Sequence, residues 1–211
     1  MIVHQQSHFF NANAFLASSP ITVGFIVYKP NLNNLGVIAA LYKINKIGYD
    51  FQFFGANYYD QDFVLGGGWA GNIRNAGFKG EISYFVTKNP IPNDNSFSLS
   101  TSFDYSFKNG IYILGSYLFN SKGVSNSNIF NLGAINENVL SPKNLMPSKN
   151  SYMIQTSKPI SPAINSSLTF LYGQGINFLY ISPNISYDIN SDFDLNFIGQ
   201  LFYADVNGNF K

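Results

Sequence analysis

The sequence predicts an all-β protein: an antiparallel up-and-down transmembrane β-barrel, or part of one, with about eleven strands. Three features predict it: long strands with one apolar and one polar face, scarce charge, and connections that are long at one end only. The clearest strand is SFSLSTSFDYSFK, Ser96 to Lys108. Phe97, Leu99, Thr101, Phe103, Tyr105 and Phe107 alternate with Ser96, Ser98, Ser100, Ser102, Asp104, Ser106 and Lys108, and a period of two puts the sets on opposite sides of an extended chain. Soluble strands run to roughly 5–6 residues, whereas a tilted strand crosses a bilayer in roughly 9–11. Charged residues make up 11% of the 211-residue chain, against about 25% in soluble proteins. The longest apolar run is LGVIAALY, residues 35 to 42, far short of the roughly 18 a membrane helix needs. A membrane reading must therefore use strands.

Taken in order, residues 1–19 show no clear period and are expected to form a loop, or a strand end continuing from a preceding part. Candidate strands follow at about 20–29, 35–43, 47–59, 62–70, 77–87, 96–108, 111–120, 152–160, 166–174, 178–188 and 194–203. LGVIAALY is apolar on both faces and also fits a short helix. Asn109-Gly110 is the sharpest turn signal, since a two-residue type I′ turn needs positive φ at both positions. Pairing Lys108 with Ile111 then sets Phe107 with Tyr112, Tyr105 with Leu114 and Thr101 with Leu118.

The two longest connections, 88–95 and 121–151, fall at the same end of a meander, with short turns such as Asn109-Gly110 and SPAIN (161–165) at the other. Long extracellular loops opposite short periplasmic turns are the asymmetry of an outer-membrane barrel. The long loop carries Ile129, Phe130, Leu132, Ile135, Val139, Leu140, Leu145 and Met146, so it is expected to fold inward or lie over the mouth rather than expose them. By the same parity the eleventh strand ends at the extracellular side, and residues 204–211 are too polar to supply the return. Bacterial barrels have even strand numbers, so the pattern predicts a further strand after Lys211 and several before Met1. The start MIVHQQSHFF has neither the basic nor the apolar region of a secretory signal.

A net charge of +1 with one arginine, Arg74, offers no basic stripe for nucleic acid, and zero cysteines remove disulfides and thiolate metal sites. Gly66, Gly68 and Gly71 match the G-x-G-x-x-G spacing, but NIRNAGFKG is a poor helix start and dinucleotide binding needs a helix N-terminus there. Glycines that let a strand bend or let Trp69 cross a neighbour fit better. His4 and His8 lack the glutamate of a zinc protease and a third histidine. Asp60 and Asp62 read as a polar turn rather than a calcium site. No G-x-S-x-G elbow occurs, and both histidines lie in the unpatterned start. The sequence thus points to no enzyme, no cofactor and no metal.

The candidate functional residues are polar ones opposite the apolar set: Asp50, Gln52, Lys79, Glu81, Asp104, Lys108, Asn184, Asp188, Asn196 and Gln200. In a lipid-facing barrel they would line a pore; on a soluble sheet they would be solvent face. Tyr58, Tyr59, Phe107, Tyr112 and Tyr203 at strand ends fit interfacial aromatic girdles.

The segments GGGWAGNIRNAGFKGEISYF (66–85), GAINENVLSPKNLMPSKNSY (133–152) and SYDINSDFDLNFIGQLFY (186–203) resemble porin-type Gram-negative outer-membrane β-barrel proteins, from about Phe15 onward. The resemblance implies an outer-membrane channel for passive diffusion of small hydrophilic solutes, with membrane lipid as partner, as a monomer or homo-oligomer. The alternatives are a soluble or surface β-sandwich that binds carbohydrate or mediates adhesion, and a non-conducting barrel serving as a membrane anchor.

Overall fold

The structure, a computed structural model, describes residues 8–15, 21–29, 36–88, 94–125, 141–206 and 209–210, with side chains from 36 to 204 within those ranges. These residues form fourteen strands: β1 (His8–Phe15), β2 (Ile21–Lys29), β3 (Val37–Lys46), β4 (Tyr49–Tyr58), β5 (Asp62–Ile73), β6 (Ala76–Thr87), β7 (Ser96–Ser106), β8 (Tyr112–Asn120), β9 (Asn150–Ser161), β10 (Ile164–Gln174), β11 (Phe178–Asn190), β12 (Phe193–Ile198), β13 (Leu201–Val206) and β14 (Asn209–Phe210). All belong to one sheet whose neighbours follow chain order, with β12 and β13 both beside β11. A sandwich needs two sheets face to face, so the single sheet overturns that alternative.

Each of the eleven expected strands is present, the last divided into β12 and β13. These two share one register: Asn184 pairs with Ile198 and Ile181 with Leu201. Between them Pro183 has no N–H to give the ladder, although its carbonyl accepts from Gly199 N at 2.9 Å. LGVIAALY lies largely in β3, where cross-strand pairing with β2 and β4 settles the helix-or-strand ambiguity. Residues 8–15, expected as a loop or a strand end, form a strand that pairs with β2 along its whole length. Phe9 and Phe15 fall in the same alternate set as Asn11 and Asn13, and His8 falls with Phe10, Ala12 and Ala14, so neither set reads as an apolar face. The strand at 96–108 ends earlier than expected, at Ser106.

The chain divides into two compact units, residues 1–72 with 79–98, and residues 73–78 with 99–211. In the first, β3 and β4 are joined by Ile47-Gly48, with φ of 56° and 75°, between the paired residues Lys46 and Tyr49. Positive φ at both central residues marks the type I′ hairpin, here with a β-branched residue where glycine or asparagine is the rule.

In the second unit the β7–β8 hairpin differs from the expected one. Gly110 alone has positive φ, 82°, and Asn109 does not. Phe107 N donates to Ile111 O at 2.7 Å and Gly110 N to Phe107 O at 3.0 Å, so three residues, Lys108 to Gly110, span the turn in the manner of a type I turn closed by a glycine bulge. The Asn109 side chain accepts from Ile111 N at 3.2 Å in place of the backbone strain a type I′ turn would require. Phe107 therefore faces Ile111, not Tyr112. That one-residue slip reverses the faces of β8: Ile113 and Tyr117 join Phe103, Tyr105 and Phe107, and line one apolar trough with them.

Candidate functional site

In the first unit the alternating residues of β3 to β6 sort into two faces. Ile38, Phe53, Phe63, Leu65, Ile82 and Tyr84 stand exposed on one, and Trp69 lies so close over Gly80 that a Cβ there would collide with the indole. The glycine is thus required by the aromatic crossing it. The other face carries Asp50, Gln52, Lys79 and Glu81. Asp50 faces Asn45, whose Nδ2 donates to its Oδ1 at 2.7 Å, and Gln52 faces Lys43. Sequence reasoning missed Lys43 and Asn45 because β3 is apolar on both sides over most of its length. Gly66, Gly68 and Gly71 lie within β5 and run into another strand; no helix N-terminus exists there for a pyrophosphate.

Near the ends of β4 to β6 the polar face closes over a cluster. Val64 and Phe85 are buried, with Tyr58 edge-on to Phe85 at 5.9 Å. Tyr58 therefore sits opposite the apolar face, not in the expected girdle. Asp62, 2% exposed, accepts from Thr87 Oγ1 at 2.7 Å. Thr87 N donates to Asn95 Oδ1 at 3.0 Å, and Asn95 Nδ2 to Tyr84 Oη at 3.2 Å. In the adjoining turn Lys88 is salt-bridged to Asp60, donates to Asn57 Oδ1 at 3.1 Å and lies 4.4 Å over the Phe63 ring. The hydrogen bond from Lys88, followed by that from Asn57, holds the Asp60 carboxyl below its usual value of 3.8. Asp60 and Asp62 thus have different partners instead of facing a common ion.

In the second unit Ile113, Tyr152, Ile154, Phe170, Ile185 and Tyr187 are among the exposed apolar side chains. The opposite face holds Asp104, whose carboxylate lies against Gly77 where any Cβ would collide. It also holds Asn184, Asp188 and, across the ladder, Asn196 paired with Ser186. Asp188 faces Asp194, which accepts from Asn196 Nδ2 at 2.6 Å. Gln200 falls between β12 and β13, with Ile198 and Phe202 exposed on the same face. Tyr112 pairs with Ser157 on the polar side, whereas Phe107 and Tyr203 are exposed on the apolar side as a girdle would have them. Lys108 stands in the turn beyond β7 rather than on the strand face.

The base of the long connection after β8 is a buried polar knot. Asn120 is wholly buried, as is Ser148. Asn120 Nδ2 donates to Asn144 Oδ1 at 2.6 Å and to Met146 O at 2.7 Å, while its Oδ1 accepts from Lys122 N at 3.2 Å. Ser148 and Ser151 hydroxyls meet at 2.7 Å. Backbone bonds from Val124 N to Pro147 O and from Lys149 N to Val124 O, 2.8 and 3.0 Å, tie the two limbs. The connection's Ile129, Phe130, Leu132, Ile135, Val139 and Leu140 lie outside the described residues, as does His4.

Solved structures share this arrangement of strands. OccK10 (OpdN) of Pseudomonas aeruginosa matches with a TM-score of 0.61 at 11% identity, over 95% of this chain and 68% of its own. OccK11 (OpdR) of the same organism gives 0.63 at 9%, over 97% and 66%. OccAB2 of Acinetobacter baumannii gives 0.59 at 7%, over 94% and 62%. The likeness is one of fold: antiparallel strands paired in chain order as in these β-barrel porins, with no pairing between β1 and the last strands among the described residues. This chain spans about two thirds of the length of the porins it matches. No protein-family model matches it, and no curated protein matches it in sequence.

Proposed function

We propose that this chain forms the wall of a channel in the outer membrane of a Gram-negative bacterium, through which small hydrophilic solutes diffuse without chemical change. The observation that carries the reading is the sorting of side chains in a single sheet. Among the described residues only Val64, Phe85 and Ile176 are buried apolar side chains, while large apolar residues such as Ile38, Phe53, Ile154 and Phe197 stand more than half exposed. Hydrocarbon is the solvent in which such a face is stable, and its polar counterpart then faces water. Asp50, Gln52, Lys79 and Glu81 in one unit, and Asp104, Asn184, Asp188, Asn196 and Gln200 in the other, line the water-filled side. Lys108 belongs to a turn at one entrance. Acids and bases are mixed among them, which favours no single sign of ion.

Protein expressed from its full reading frame, refolded in detergent and added to planar bilayers, is expected to give ohmic conductance steps and heat-modifiable mobility in gels. A stable, water-soluble, non-conducting protein overturns the reading. Heat-modifiable protein that inserts but does not conduct makes it a membrane anchor instead.

A further inference from the structure

We infer that the polar face of β9, β10 and β11 carries a binding notch for a small uncharged polyol, which deepens the channel reading above and rests on it for the direction the notch faces. Cross-strand register assembles it. Ser157, Ser167 and Asn184 form one row across the three strands, and Asn165 and Ser186 pair in the next. Serines are short where neighbouring positions carry Tyr112 and Ile198, so the rows leave a hollow of about 160 Å³. At a share of about 30 Å³ per water this holds roughly five waters, the space of a three- or four-carbon polyol. The ring of Pro159 adds an apolar edge against which C–H groups can lie.

The chemistry of the lining selects the ligand. Hydroxyls donate and accept, and amides do both, which suits a molecule whose every carbon bears an O–H. Lys158 also borders the hollow, but it alternates with Ser157 and pairs with Ser166, whose hydroxyl donates to its carbonyl at 3.0 Å. One step along the same face, the opposed carboxylates Asp188 and Asp194 disfavour an anion. The decisive detail is Asn184: its Oδ1 is shielded from solvent yet has no hydrogen-bond partner. A shielded amide end without a partner is a cost that a bound hydroxyl removes. Turning the amide over would leave its Nδ2 in the same position. A ligand hydroxyl satisfies either orientation, donating to oxygen or accepting from nitrogen.

The test is saturation-transfer NMR on the protein from its full reading frame in detergent micelles, with erythritol, propionate, ethylammonium and 1-butanol as probes. Erythritol is expected to receive saturation, and the other three little. Asn184→Ala is expected to weaken erythritol binding about two- to tenfold, the worth of one neutral hydrogen bond. Ser167→Leu, which fills the hollow, is expected to abolish it. Ser100→Leu on β7 serves as a control and is expected to leave it unchanged. Heat-modifiable gel mobility establishes that each variant is folded, and if Asn184→Ala fails that check, Ser167→Leu decides. No transfer to erythritol in the wild type, or equal transfer in folded Ser167→Leu, overturns the notch. Stronger binding of ethylammonium overturns its uncharged character. Bilayer conductance separates the two readings: conductance without binding removes the notch alone, and binding without conductance removes the channel alone.

Discussion

Two clusters at the ends of strands hold connecting segments in place by opposite means. In the first unit, Lys88, Asp60 and Asn57 form a charged group at the surface, with Asp62 and Thr87 beneath it. In the second, Asn120, Asn144, Ser148 and Ser151 form an uncharged group shut away from solvent. An exposed ion pair is worth little because water and salt compete for both partners. A buried amide is costly to disturb, because each partner it leaves behind loses a bond that water cannot restore. The uncharged knot should therefore dominate local stability, and the charged cluster should be the one that responds to the medium.

The largest effect should come from Asn120→Ala. It orphans Asn144 Oδ1 and Met146 O, at about 1–3 kcal/mol for each group left buried and unpaired. A fall of about 3 kcal/mol in unfolding free energy is expected, with earlier proteolysis between 121 and 149. Stability within 0.5 kcal/mol of wild type by denaturant titration (roughly the scatter of surface substitutions) would break the comparison. Thr87→Val keeps shape but removes the hydroxyl that donates to the buried Asp62 carboxylate. A loss of about 2 kcal/mol is expected, in the range for hydrogen bonds to charged groups. Adding Asp62→Asn should recover part of it.

The smallest effect belongs to Lys88→Ala, and its sign is set by pH. The Asp60 pKa is lowered in the folded protein, so the pair stabilises the fold fully above the ordinary value of 3.8. That contribution is lost as pH falls through the lower folded value. Wild type and Lys88→Ala should therefore differ most near neutrality in low salt and converge in strong acid or at high ionic strength. A difference that persists unchanged across both titrations would show that Lys88 acts through packing over Phe63 instead.

Sequence alone determined the strands and the polar or apolar character of most faces, because a period of two is a local property that each strand carries by itself. Ser96 to Ser106 and Phe178 to Asn190 could be read this way without knowing a neighbour. Where the period was weak, as in residues 8–15, or apolar on both faces, as in β3, only pairing with adjacent strands decided the outcome. The same held for β8. Ile113 and Tyr112 are both apolar, and the choice between them fell to the backbone of Lys108 to Gly110, where a glycine bulge replaced a type I′ turn. The buried knot and the serine-lined notch were illegible for a further reason. Their members are ordinary serines and asparagines up to 31 residues apart in the sequence, from Asn120 to Ser151 and from Ser157 to Ser186. Nothing in their spacing marks them: cross-strand register brings the notch together, and hydrogen bonds between the two limbs of the connection bring the knot together.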